Sequence, residues 1–200
     1  MLDTSSEGLP SRPQPLRVAR RDFIVGGALL TFTLAGCEKK MTPAQARVAT
    51  VPFLTLDAGT VAVLDAFGDI LLPGSPAAGL SHYIDQQLSS NATDSMLMIK
   101  YLGIPAPFTG FYKSGLRATD ALAHAVYGKE FPALSNEQAS ALVTRMSAGQ
   151  VEGWQGPPAG LFYFVLRNDA VDVVYGTTAG FEQLGVPYMA HIEPPSRWGE

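Results

Sequence analysis

Ala159-Gly160-Leu161-Phe162-Tyr163-Phe164-Val165-Leu166-Arg167-Asn168-Asp169-Ala170-Val171-Asp172-Val173-Val174-Tyr175 is apolar almost all round. A helix wet on one side needs only an apolar stripe, so this segment reads either as the central helix of a bundle or as a helix covered by another protein chain. Val173 and Val174 are β-branched and also admit a strand. The loop Gly153-Trp154-Gln155-Gly156-Pro157-Pro158 precedes it. Phe162, Phe164 and Tyr175 are the anchors it would offer to a partner.

On either side of this segment, every well-defined element is helical. Asp57 is placed to cap a helix in which Val61, Leu64, Gly68 and Leu71 recur at three- and four-residue steps up to Pro73-Gly74. Pro76 opens a second helical stretch through Leu80, Tyr83, Ile84 and Leu88 to the turn signal Ser89-Ser90-Asn91. Residues 92 to 102 allow a short helix, and Phe111 to Tyr127 a longer one. Ser135-Asn136-Glu137-Gln138 is a capping box that starts a helix through Leu142, Val143 and Met146 to Gly149. The fold class is therefore all-α, a compact helical bundle over residues 56 to 200. Its end, Val186 to Trp198, is an extended C-terminal arm in which Tyr188, His191 and Trp198 are the candidate contacts. Such an arm lies along a partner or folds back on its own domain.

The first 36 residues have the three-part layout of an export signal: a polar start, an apolar run from Phe23 to Gly36, and a small-residue exit before Cys37. The run is too short and too weakly apolar to span roughly 30 Å of hydrocarbon as a stable helix. Arg20-Arg21 before Asp22-Phe23-Ile24 resembles the twin-arginine pattern, the route used by proteins that cross the membrane already folded. Leu34-Ala35-Gly36-Cys37 looks like a lipobox, in which the thiol of Cys37 is lipidated and becomes the mature N-terminus. Residues 37 to 55 then read as lipid tether and linker. The expected place of work is the extracytoplasmic face of a bacterial membrane, anchored at Cys37.

Composition narrows the rest. From Cys37 onward there are ten Lys or Arg against fifteen Asp or Glu, a net charge of −5 without a basic cluster, which supports no nucleic-acid role. Cys37 is the sole cysteine. Structural disulfides, cysteine-ligated iron–sulfur clusters and a haem-attachment Cys-x-x-Cys-His are thereby excluded within the chain. No Rossmann glycine fingerprint, phosphate-binding loop, His-Glu-x-x-His or Gly-x-Ser-x-Gly elbow occurs. Asp65 and Asp69 fall one turn apart, as do His82 and Asp85, and as do Asp120 and His124. Asp65 and Asp69 have no adjoining ligand to complete a metal set and read as solvated surface or partner contact, Asp120 and His124 read as a surface ion pair, and His82 and Asp85 lack the nucleophile a triad requires. No catalytic, cofactor-binding or metal-binding residue is assigned.

At this point the chain resembles the gluconate 2-dehydrogenase subunit 3 family. The segments that carry the likeness are the twin-arginine signal, Leu64-Asp65-Ala66-Phe67-Gly68-Asp69-Ile70-Leu71-Leu72-Pro73-Gly74 with Ala77 to Leu80 and Tyr83-Ile84-Asp85, and the stretch from Phe162-Tyr163 through Asp172-Val173-Val174-Tyr175-Gly176 to Gly185-Val186-Pro187-Tyr188. The resemblance implies a non-catalytic small subunit that escorts and exports a large FAD-dependent (GMC-type) dehydrogenase subunit lacking its own signal. It also implies that FAD belongs to that partner, and that a cytochrome c subunit carrying haem c often completes the assembly. The lipobox departs from the family's usual plain cleavage site and implies that this chain is also the membrane anchor. A stand-alone helical lipoprotein binding a small ligand or lipid is the alternative, and a hydrolase using His82 or His124 a weaker third.

Overall fold

The computed structural model describes residues 29–34 and 36–185. In chain order they form β1 (Leu30–Leu34), β2 (Cys37–Met41), α1 (Pro43–Val48), α2 (Ala58–Leu71), α3 (Leu80–Ser89), α4 (Met98–Tyr101), α5 (Thr109–Tyr127), a 3-10 turn at Phe131–Ala133, α6 (Asn136–Ser147), α7 (Ala159–Tyr175) and α8 (Thr178–Gln183). The expected all-α class holds for the body of the chain, with one two-stranded sheet added.

Of the two readings open for Ala159–Tyr175, the structure takes the central helix. Ala159, Phe162, Val165, Leu166, Asp169, Ala170 and Val173 of α7 are buried, and α7 packs against α2, α3, α4, α5, α6 and α8. Phe162 has no exposed surface and sits 5.8 Å from the rings of both Phe67 and Phe111, and 6.2 Å from Trp154. Its ring lies where Gly115 has no side chain: a Cβ on Gly115 would come within 2.2 Å of it. A side chain such as Phe, Leu or Val fully withdrawn from water stabilises by about 1.5–3 kcal/mol, and α7 buries Phe162, Val165 and Leu166 in this way. Phe162, expected as a partner contact, is therefore a core residue.

The caps explain where the helices begin. Asp57 accepts from the Thr60 N–H at 2.8 Å and from its hydroxyl at 3.0 Å, opening α2 as the sequence indicates. Ser135 and Gln138 close the expected capping box on α6. The second helix does not start at Pro76. Residues 73–79 are turns, because the chain enters a left-handed conformation at Gly79 (φ +88°), and α3 begins one residue later. Gly79 also permits close approach, since a Cβ there would stand 2.2 Å from the carbonyl carbon of Pro43.

That contact belongs to a region whose order the composition did not announce. Residues 41 to 55 lack a sustained apolar period, yet Thr42 and Gln45 form a capping box for α1, Ala46 is fully buried, and Val51 and Leu56 join the core. Arg47 on α1 pairs with Asp65 on α2 at 2.8 Å, and the Ser81 hydroxyl donates to the other oxygen of that carboxylate. Asp65 is thus held between three elements rather than solvated. Before α1, β1 pairs antiparallel with β2, Leu30 opposite Met41 and Leu34 opposite Cys37, turning at left-handed Gly36. Leu30 and Phe32 alternate inward and are buried, so the end of the expected export segment packs on the domain in the full chain. Short α8 is also unannounced by the sequence. Arg20, Arg21, Phe23, Tyr188, His191 and Trp198 lie outside the described residues.

Candidate functional site

Of the histidines among the described residues, His82 is engaged in packing and His124 is exposed on α5. His82 is buried on α3, its Nε2 3.1 Å from the Val51 carbonyl and its ring 4.4 Å from that of Phe53. Burial pushes its pKa below the usual imidazole value, which keeps the ring neutral and makes Nε2–H the donor to Val51. Asp85, one turn on, faces the same segment: Oδ1 accepts from the Thr55 and Leu56 N–H groups at 2.8 and 2.7 Å, and Oδ2 from the Leu54 N–H at 2.8 Å. The pair that resembled a triad fragment is a clamp holding residues 51–56 onto α3. His124 and Asp120 approach only to 4.0 Å on the surface of α5, and Asp120 is otherwise engaged by the Phe131 N–H at 2.7 Å. A surface pair of this kind contributes about 0–1 kcal/mol.

The third acidic feature escaped the sequence reading. Asp169, on the inner face of α7, is fully buried, accepting from the Tyr112 hydroxyl at 2.6 Å and from the Met98 N–H at 2.9 Å. Burial pushes its carboxyl up to about 7, against the pull of those two donors, and raises the Tyr112 and Tyr83 hydroxyls as well. The signal available in the sequence was an acidic residue inside an otherwise continuous apolar run. A buried carboxyl near neutrality is the type of group that active sites use, but Asp169 has no exposed surface and both its oxygens are taken by Tyr112 and Met98. Its work is to tie α4 and α5 to α7. Among the described residues no three His, Cys, Asp or Glu side chains converge on a position that would hold a metal ion.

What remains accessible is apolar surface. Phe164 and Val171 lie two turns apart on the outer face of α7, 41% and 37% exposed, and Tyr101 and Leu102 are exposed at the end of α4, which packs on α7. Between α1, α3 and the α7–α8 corner opens a cleft of about 480 Å³. Pro43, Ala78, Met96, Val173, Val174 and Ala179 make its walls largely apolar; Tyr83, Tyr101 and Asp172 supply polar groups. Of the proposed partner contacts on α7, then, Phe164 is on the surface, Tyr175 is half-buried and Phe162 is inside. Cys37 is exposed at the hairpin turn.

This helical body, in which His82, Asp85, Asp65 and Asp169 are engaged in packing, is what the family comparison recognises. The model of gluconate 2-dehydrogenase subunit 3 matches residues 58–191. The chain belongs to that family. The match starts at the first residue of α2 and runs through α8 to His191. The hairpin and α1 precede the subunit 3 pattern. No curated protein and no solved structure matches the chain. The family name is that of a subunit of a dehydrogenase complex, and membership places this chain as a small accessory subunit. No helix among the described residues is long and apolar enough to cross a membrane.

Proposed function

We propose that this chain is the non-catalytic small subunit of an FAD-dependent dehydrogenase acting on a sugar, sugar acid or polyol. It binds the large GMC-type flavin subunit, carries it outward on the signal at Arg20-Arg21, and holds the complex on the extracytoplasmic face of the membrane through lipidated Cys37. The observation that carries this reading is the subunit 3 match over residues 58–191. Two features of the chain support it. Its acidic and histidine clusters are occupied in packing: His82 and Asp85 by residues 51–56, Asp65 by Arg47 and Ser81, and Asp169 by Tyr112 and Met98. A helical domain that brings no cofactor of its own also has little need for folded export, whereas a partner loaded with FAD does.

Catalysis is then the partner's: hydride passes from an alcohol carbon to the flavin, and electrons pass to a cytochrome c subunit or a quinone. The exposed part of α7, Phe164 and Val171, with Tyr101 and Leu102 beside it, is the proposed dock, since aromatic and apolar side chains anchor most interfaces. The test is purification through a tag on Glu200. A large flavin-bearing chain retained in constant ratio is the expected result. Dehydrogenase activity or tightly bound flavin in this chain alone overturns the reading. The second reading, a stand-alone lipoprotein that binds a small ligand or lipid, draws on the apolar cleft beside α8 and predicts a chain purified without partner.

A further inference from the structure

We propose that the cleft between α1, α3 and the α7–α8 corner is the seat of this chain's own C-terminal segment, residues 186–191, with Tyr188 and Met189 as the apolar fill. The inference concerns the isolated chain and does not depend on the identity of any partner.

Chain geometry comes first. The α8 helix forms one wall of the cleft through Thr177 and Ala179, and ends at Gln183. Gly185 follows in a left-handed conformation (φ +67°), the reversal that turns a chain back across the end of a helix. Six residues of α8 measure about 9 Å along the axis, and six extended residues reach about 20 Å. Residues 186–191 are therefore long enough to return along α8 and cross the cleft.

Chemistry agrees. Val186-Pro187-Tyr188-Met189-Ala190 is uncharged and apolar or aromatic, matching walls made by Pro43, Ala78, Met96, Val173 and Val174. Asp172 is the one charged residue in the lining, and its carboxylate has no hydrogen-bond or ion-pair partner among the described residues. His191 is the sole basic residue between Gly185 and Pro195 and stands at the far end of the segment in sequence, a complement to that carboxylate. The family match makes the third argument. It does not stop at α8 but continues six residues past Gly185 and ends at His191, which groups 186–191 with the domain and leaves 192–200 outside.

A photoreactive benzoylphenylalanine in place of Tyr101, which lines the cleft and is 67% exposed, tests the seat. The full chain is purified in detergent and irradiated as a mixture of isotopically heavy and light copies. Expected is an adduct within a single copy, mapped to residues 186–191. An adduct between heavy and light copies, one to detergent or lipid, one to another part of the chain, or none at all overturns the proposal. Tyr188→Asp in the same background should cut the adduct yield several-fold while far-UV dichroism is unchanged, and an unaltered yield also overturns it. Should that variant fail to fold, His191→Glu, which sets two acids face to face across the cleft, is read for the same drop. Failure here leaves co-purification with a flavin subunit untouched, so the two readings fall separately.

Discussion

Asp169 and Tyr112 meet at 2.6 Å in the interior, the hydroxyl of α5 donating to the carboxyl of α7 while the Met98 N–H of α4 takes the other oxygen. Three helices thus converge on one side chain with no exposed surface. Its pKa of about 7 lies above the ordinary carboxyl value of 3.8. The folded state holds that proton more tightly than the unfolded state, so the contribution of this group to stability is fully present below about pH 4. It declines as pH rises through 7 and is level above that. Denaturant titrations from pH 4.5 to 8 should show wild type losing stability relative to Asp169→Asn as pH rises, because the amide cannot ionise. A difference that is constant with pH would count against it. Tyr112→Phe removes one donor and should cost about 1.5–3 kcal/mol.

Asp85 accepts three consecutive backbone N–H groups, a role that no local pattern around it marks. Asp85→Asn is nearly isosteric but must turn an NH2 group toward at least one of those donors. The orphaned N–H groups cost about 1–3 kcal/mol. The expected result is a lower denaturation midpoint together with faster hydrogen exchange at Leu54, Thr55 and Leu56.

Helices with local signals were legible from the chain: Asp57 and Ser135 each announce a start, and the nearly continuous apolar run Ala159–Tyr175 announces a central helix. The α1 helix was not, because it is six residues long and buries a single alanine, and its order comes from the distant partners Asp65 and Gly79. The same holds for β1, whose alternation of Leu30 and Phe32 is hidden within a run that reads as an export segment. At the candidate site, spacing identified the pairs His82–Asp85 and Asp120–His124 but not their partners. Those partners are backbone groups 11 to 31 residues away, which no one-turn pattern contains. Phe162 was misplaced for a related reason. An apolar helix does not reveal which of its aromatics faces inward until Gly115 on α5 shows where the space is.

Glycine substitutions on α5 should diverge in sign. Gly115 lies in the interior of that helix, where Ala is favoured over Gly by about 1 kcal/mol, and Gly110 lies in its first turn, where the same preference acts more weakly. A Cβ at Gly110 meets nothing within 4 Å, so Gly110→Ala should raise the melting temperature. At Gly115 the new atom would stand 2.2 to 2.6 Å from the Phe162 ring, which Phe67, Phe111 and Trp154 hold in place. Overpacking costs about 1–3 kcal/mol and outweighs the propensity gain, so Gly115→Ala should melt lower than wild type.

Replacement of both His82 and His124 by alanine separates an accessory role from a hydrolytic one. His124 is exposed, and its loss should be almost silent. His82→Ala opens a cavity under Phe53 and frees the Val51 carbonyl, lowering stability without touching electron transfer. Dehydrogenase turnover per bound flavin in the reconstituted complex should therefore stay at the wild-type value, and a loss that tracks either histidine would refute the accessory assignment.

Cys37 is exposed at the turn of the hairpin beside left-handed Gly36, so the thiol is reachable without opening the core. The proposed cleavage before it would have a structural consequence, because Leu30 and Phe32 would leave with the released segment, and both are buried in the full chain. Two such side chains contribute about 1.5–3 kcal/mol each, an upper bound if β2 and α3 resettle. Cys37→Ser, which blocks lipidation and processing, should accordingly give an exported chain that melts above a chain beginning at residue 37. Arg20→Lys with Arg21→Lys should instead retain the chain and its flavin partner in the cytoplasm. Fractionation into cytoplasm, membrane and released protein, with flavin measured in each, distinguishes the two variants. Membrane-bound flavin undiminished when both arginines are replaced would show that export of the partner does not run through this chain.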